Sequence, residues 1–356
     1  MLKYSVLGAG AGGASMAVIL KSQGYPVKLY DKNSALIEQL NALPAITLTG
    51  KYDLAEKPDL ITDDIHQVIA DADVIMVCTT TDAHHTLAEQ MAPELHDEQL
   101  IVLNPGHTGG AMEVRNIFSK CGMHKHVYVA ESTDLIYSCR PTAPGVIFHS
   151  GIKKAMKLAA LPASDTAHVL DVIGSAFPVF YAGGSVLETS LENLGALLHP
   201  MPTVMNINKL DNHIPWDYYM EGITPSIARM VEQMDAEKKA IAAALGLEIL
   251  SLTDSIKRSF KIDQDGLYNV LQHNAAYKGV KSPPQVQHRF VTEDTLSGTV
   301  PIAAFGRVLG IATPMTDAAI ALASAACGRD FMAEGRTAER LGIAGKTADE
   351  IHRMVL

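Results

Sequence analysis

Two short stretches of the 356-residue chain set acid–base, cationic and amide side chains among apolar ones. The first is Glu192-Asn193-Leu194-Gly195-Ala196-Leu197-Leu198-His199-Pro200, where Asn193 and His199 sit in a hydrophobic helical run that Pro200 interrupts. Proline cannot donate to the helix ladder and disfavours helical geometry in the residue before it, so His199 falls at a helix irregularity. An imidazole there suits proton exchange near neutral pH, and it equally suits a satisfied core histidine beside a kink. The second stretch is His288-Arg289-Phe290-Val291-Thr292-Glu293-Asp294. Arg289 can grip a carboxylate through two parallel hydrogen bonds, which lysine cannot imitate. Asp294 can orient a histidine and stabilise its charged form. By residue type alone, a surface ion pair is the simpler account of this second stretch.

A third constellation opens the chain. Tyr4 to Leu7 is an apolar run suited to a buried strand, Gly8, Gly10 and Gly13 follow in G-x-G-x-x-G spacing, Ala14 to Leu20 continues as a helix, and Val27 to Tyr30 is a second strand ending at Asp31. This is the pattern of a dinucleotide-binding βαβ unit. The first glycine permits the turn, the second lets backbone approach the pyrophosphate, and the third lets helix and strand pack closely. The helix N-terminus offers free N–H groups and positive dipole to the phosphates. Asp31 can accept hydrogen bonds from both adenosine ribose hydroxyls and repels a 2′-phosphate, so NAD is favoured over NADP, although Lys32 remains available to pair with a phosphate.

The elements that must position these groups read as two domains. The first half alternates strands and helices: Ser34 to Leu43 helical, Asp73 to Thr79 a buried strand, Asp82 capping a helix through Glu94, Leu100 to Leu103 a strand, Gly109 to Cys121 a helix, and His126 to Ala130 a strand. Such alternation implies a mostly parallel sheet covered on both faces, with ligands at the carboxyl ends of its strands. Thr79 to Asp82, Asn104-Pro105-Gly106 through Gly110, and Glu131 lie there. Gly8, Ala9, Gly10, Gly13, Asp31, Thr79, Pro105 and Gly106 are accordingly the expected cofactor-binding residues. Gly184 to Asn208, Pro225 to Leu247, Asp265 to His273, Pro301 to Leu309 and Pro314 to Cys327 look helical, with few strand signals between them. The expectation is a Rossmann domain over 1–182 and an all-helical substrate and catalytic domain over 183–356.

Bulk properties narrow the partners. With 47% hydrophobic and 19% charged residues, the chain is expected to be globular. A net charge of −10 and the lack of any basic run argue against nucleic acid. Cys78, Cys121, Cys139 and Cys327 are scattered without a C-x-x-C pair, which fits a reduced cytoplasm rather than a disulfide framework or zinc site. No leader and no membrane span are expected. His84 and His85 are adjacent and face apart on a helix, so they make a poor chelate, and with His124 and His126 they are read as solvated or structural; no metal is expected. A homodimer is expected from base rates.

Taken together, the chain resembles the opine dehydrogenases, the octopine/nopaline dehydrogenase family. The resemblance rests on the glycine loop, Val102-Leu103-Asn104-Pro105-Gly106-His107-Thr108-Gly109-Gly110, the segment Glu131 to Arg140, the segment Glu188 to Pro200 with its Asn and His-Pro, Arg289 to Asp294, and Thr313-Pro314 before a helix. It implies a Rossmann domain followed by a helical domain and a reductive condensation: the amino group of an amino acid adds to the carbonyl of a 2-keto acid such as pyruvate, and the resulting imine takes hydride from the nicotinamide. His199 matches the family's acid/base histidine, Asp294 its partner, and Arg289 the arginine that holds a substrate carboxylate. Asn193 is placed either on the substrate's oxygen or on a neighbouring group, and Tyr137 and Arg140 serve structure or substrate. The chain departs from the family pattern at Thr295-Leu296-Ser297-Gly298, where a proline often follows the Glu-Asp pair, and at Gly310-Ile311-Ala312 before Thr313.

Two other readings fit the glycine loop. One is an ordinary 2-keto or 3-hydroxy acid reductase of the same plan, which generally relies on a lysine on the first long helix of its second domain; Lys209 is the nearest here, beyond Pro200. The other is a non-catalytic NAD-binding redox sensor, which has no need of His199, Arg289 and Asp294.

Overall fold

The computed structural model describes residues 1–356. In chain order its strands are β1 (Tyr4–Leu7), β2 (Val27–Tyr30), β3 (Ile46–Gly50), β4 (Leu54–Glu56), β5 (Leu60–Thr62), β6 (Val74–Val77), β7 (Leu100–Leu103), β8 (Tyr128–Ser132), β9 (Tyr137–Ala143), β10 (Val146–Ile152), β11 (Met156–Leu161) and β12 (Phe180–Ala182). Eight of them form one sheet, in the order β12-β11-β8-β7-β6-β1-β2-β5. Its central strands β1, β6 and β7 are buried at every position. That is the continuous apolar pattern of a parallel sheet covered on both faces. Only β11 runs against its neighbour β8; the other pairings are parallel. The chain leaves β1 for β2 on one side and returns to β6 on the other. The switch point therefore lies between β1 and β6, where such sheets bind ligands. Gly8 follows β1 directly, and Thr79 stands two residues past β6.

The remaining strands make a second sheet, β4-β3-β10-β9, which the sequence pattern did not disclose. β9 is mostly exposed and carries Arg140-Pro141-Thr142, so its apolar alternation is diluted. Asp82 does not cap a helix as expected. It lies inside a short 3-10 turn, Thr81–Ala83, and the helix that follows runs His84–Met91 with no side-chain cap. β8 starts at Tyr128, not His126, because the His126 amide is held in the preceding loop by Asp97 Oδ1 at 2.6 Å.

The chain divides into two compact units, Met1–Ser190 with Val355–Leu356, and Leu191–Met354. The second is helical apart from an isolated bridge between Asp217 and Lys281. Its longest helix, Pro225–Ala244, starts where Thr224 accepts the Ile227 amide and proline occupies the first turn. The apolar run 184–208 is not one helix broken at Pro200. It forms Val186–Leu191, Gly195–Leu198, Pro200–Val204 and Ile207–Asp211. Asparagine side chains hold two of the breaks: Asn193 Oδ1 accepts the Gly195 amide at 3.1 Å, and Asn206 Nδ2 donates to the Pro202 and Gly222 carbonyls. Such local bonds compete with the helix ladder. No helix of the chain is long and apolar enough to cross a membrane.

His149 on β10 is fully buried, between the rings of Tyr52 and Tyr137, and its Nδ1 accepts the Gly151 amide. Burial pushes its imidazole below the usual histidine range. The unfolded chain therefore binds a proton there that the folded chain resists. Stability from this site is complete above about pH 6.5 and is lost as the pH falls below that value. We expect chemical denaturation at about pH 5 to show a loss of stability, relative to about pH 7.5, that shrinks in His149→Phe. An equal loss in both chains would remove His149 as a source.

Candidate active site

The first unit carries a cradle shaped for a dinucleotide. Gly8 has a φ of +106°, and a Cβ there would lie 2.9 Å from the Cys78 carbonyl oxygen. A Cβ on Gly13 would lie 1.8 Å from the Gly8 carbonyl oxygen, so only glycine lets the helix Ala11–Ser22 pack onto the loop. Gly10, by contrast, faces nothing within 4 Å. The helix that it starts has no side-chain cap and no acid in its first turn, and the first amide to bond back is that of Ala14, to Gly10. Its N-terminal amides and dipole thus remain available to phosphate. Asp31 is pinned by two amides, Ala9 N to Oδ2 at 2.8 Å and Asn33 N to Oδ1 at 3.0 Å. The Thr79 hydroxyl is buried without a hydrogen-bond partner, and its methyl group crowds Gly8. An orphaned hydroxyl, an open glycine and an uncapped helix end at one switch point fit a bound dinucleotide.

The loop after β7 is fixed from beneath by Glu131, whose side chain is fully buried. Its carboxylate accepts from the Ala111 amide at 2.8 Å, from Thr189 Oγ1 at 2.6 Å and from Ser190 Oγ at 3.0 Å. Ser190 in turn accepts the Gly109 amide on its hydroxyl and the Thr108 hydroxyl on its carbonyl. A Cβ on Gly106 would lie 2.4 Å from Glu131 Oε2, so this glycine lets Pro105-Gly106 lie over the acid.

In the second unit His199 joins two short helices, Gly195–Leu198 and Pro200–Val204. Its Nδ1 lies 2.9 Å from Asp294 Oδ2 and its Nε2 3.3 Å from Tyr219 Oη. The ring stacks on Phe290 with centroids 4.0 Å apart and planes 9° from parallel. An ionised carboxylate only accepts, so Nδ1 carries the proton and Nε2 is the nitrogen left for exchange. Asp294 is 3% exposed at the end of the helix Arg289–Asp294. Beyond it Thr295–Thr299 form one π-helical turn, buried throughout. This is the segment that departs from the family pattern. Gly195 admits Asp294, since a Cβ there would lie 2.5 Å from Oδ1, and Gly298 admits Ala196, at 2.7 Å. Tyr218, fully buried and pushed well above its usual pKa by that burial, donates to the His199 carbonyl at 2.9 Å.

The structure thus brings His199, Asp294 and Asn193 together, Asn193 by way of Gly195. Arg289 does not touch the pair. Its side chain is 62% exposed, 3.6 Å from Glu293 and 5.7 Å from the Phe290 ring. His288 caps the same helix, its Nδ1 accepting the Phe290 amide. Burial, with the nearby charges of Arg289 and His199, holds its pKa below the usual histidine range. Sequence reasoning missed Tyr218, Tyr219, Phe290 and Gly195 as members of this site. The only signal for the two tyrosines is an aromatic-rich run, Trp216 to Tyr219, which reads equally as core; Gly195 and Phe290 lie within the two polar stretches, where no role marked them.

Comparison with known proteins agrees with this geometry. Residues 182–327 match the model of the NAD/NADP octopine/nopaline dehydrogenase alpha-helical domain, and residues 3–112 that of the NAD-dependent glycerol-3-phosphate dehydrogenase N-terminus. The chain is 38% identical over 354 residues to an opine dehydrogenase of Arthrobacter sp. (strain 1C), covering 99% of this chain and 98% of that one. It is 23% identical over 371 residues to the octopine dehydrogenase of Pecten maximus, covering 94% and 92%. Its fold matches a solved octopine dehydrogenase with NADH and L-arginine, at a TM-score of 0.83, 22% identity and coverage of 99% and 98%. The chain belongs to the opine dehydrogenase family, NAD(P)-dependent oxidoreductases acting on CH–NH donors.

Gly13→Ala should weaken NADH binding about tenfold or more, measured by calorimetric titration, because overpacking at this contact costs roughly 1–3 kcal/mol and moves the loop. Unchanged affinity would show that the helix can retreat without disturbing the cradle.

Proposed function

We propose that this chain is an NADH-dependent opine dehydrogenase, condensing an amino acid with a 2-keto acid such as pyruvate to an N-(1-carboxyalkyl)amino acid, and running the reverse oxidation. The observation that carries the reading is the His199–Asp294 pair, with Nδ1 committed to the carboxylate at 2.9 Å and Nε2 left to exchange protons. The reaction needs such a group twice. The amino acid arrives as an ammonium ion, and Nε2 takes one of its protons, freeing the lone pair that attacks the keto carbon. The carbinolamine then loses its hydroxyl as water, with the proton returned from Nε2. Asp294 holds the ring in one tautomer and balances the imidazolium between these steps. A bound nicotinamide supplies the hydride that reduces the imine.

Arg289 is assigned to a substrate carboxylate: its exposed guanidinium, one turn before Asp294, has only a loose partner at 3.6 Å to give up. Asn193 is assigned to its neighbour, since its carbonyl oxygen already holds the Gly195 amide against which Asp294 packs. NAD is the preferred cofactor because Asp31, pinned by two amides at the end of β2, meets a 2′-phosphate with like charge.

NADH oxidation by pyruvate with and without each of the twenty amino acids tests the reading, repeated with NADPH. Oxidation that requires a particular amine supports it and identifies the substrate. Oxidation by keto acid alone points to an ordinary reductase, and NADH binding without turnover on any pair points to a sensor. His199→Ala should lower turnover by on the order of 10²–10⁴-fold while leaving NADH affinity near wild type; affinity collapsing in step with turnover would count against the assignment. Arg289→Lys should raise the KM for the keto acid about tenfold with a smaller effect on kcat. An unchanged KM would take Arg289 out of the site.

A further inference from the structure

The reaction proposed above has a proton balance that His199 cannot close alone. An ammonium ion, a keto acid and a hydride give a secondary ammonium ion and hydroxide, so making water consumes one further proton per turnover. Nε2 takes one proton from the substrate ammonium and returns it with the hydroxyl, so the further proton is the one that turns the reduced secondary amine into an ammonium ion; it comes from solution and reaches the amine by way of Nε2. The ring of His199 keeps 19% of its side chain exposed and is held on three sides: Phe290 covers one face, Asp294 takes Nδ1, and Tyr219 Oη stands at Nε2, 3.3 Å away. Tyr219 is itself held. Its ring stacks on Tyr277 at 4.1 Å with planes 16° apart and meets Tyr218 edge-on at 5.1 Å, and its carbonyl accepts from Gln272 Nε2 at 3.3 Å. Unlike Tyr218 at 0%, Tyr219 keeps 7% of its surface exposed.

A phenol suits this position because a hydroxyl both donates and accepts. It donates O–H to the Nε2 lone pair of the neutral ring, and it accepts Nε2–H from the charged one. We propose that Tyr219 is a positioning residue for His199 through which Nε2 regains its proton in each turnover, a role that rests on the functional reading above. In that step the Nε2–H bond forms as the Tyr219 O–H bond breaks, and Oη takes a replacement proton from hydronium or a buffer acid, so the phenol ends unchanged.

Tyr219→Phe tests this, since it keeps the ring and its stacking and removes only Oη. The KM values for amino acid and pyruvate should stay within about twofold while kcat falls about tenfold. The solvent deuterium isotope effect on kcat should rise, the effect of deuterated NADH should fall, and added imidazole should restore part of the activity. A packing role moves none of these last three. Without substrate, the His199 Nε2 resonance in nitrogen-15 NMR should shift toward that of an unbonded nitrogen while Nδ1 stays. An unmoved Nε2 resonance, or isotope effects and buffer dependence equal to wild type, would overturn the proposal. If wild type shows amine-dependent NADH oxidation and Tyr219→Phe matches it, the relay alone fails. If wild type shows none, the functional reading fails and the relay with it.

Discussion

A carboxylate buried at 3% exposure, that of Asp294, places a strong constraint on the helical unit. An ionised acid taken out of water costs several kcal/mol unless it is paired and hydrogen-bonded. Asp294 meets that demand through His199, 95 positions earlier in the chain. Bringing the two together requires a helix that stops at His199, a turn of helix that ends at Asp294, and space between them. The proline after His199 provides the first, and the π-helical turn Thr295–Thr299 carries the chain on from Asp294. Glycines at 195 and 298 provide the space. Helix irregularities of this kind recur at functional sites because they aim a side chain that a regular helix would turn away.

The first unit solves a similar problem with another buried acid. Glu131 accepts from one amide and two hydroxyls and so braces the loop Asn104–Gly110 from beneath. The two acids show how environment divides roles among identical groups. The one paired with an imidazole is the one proposed for acid–base chemistry, and the other holds hydroxyls and backbone in place.

Much of this was legible before the structure. β1, β6 and β7 announce themselves as short runs of uninterrupted apolar residues, and the glycine spacing with Asp31 places the cradle. The helices Pro225–Ala244 and Pro314–Cys327 begin at their prolines as expected. The four-stranded sheet was not legible, because strands with one wet face and residues such as Arg140-Pro141 lose the alternation that marks them. Nor was the break at Asn193, where a side chain takes over a backbone amide without any proline to signal it. His199 and Asp294 were visible as types, but their pairing came from family resemblance, since nothing in local periodicity joins residues so far apart.

The sequence by itself determined the fold class, the dinucleotide cradle and the kinds of side chain available for chemistry, because these depend on short-range spacing that periodicity and glycine sterics expose. The tertiary structure alone decided which nitrogen of His199 faces Asp294, that Tyr219 stands before the other, and that Arg289 lies apart from the dyad. Those are matters of distances across the helical unit, and a chain's local pattern carries no record of them.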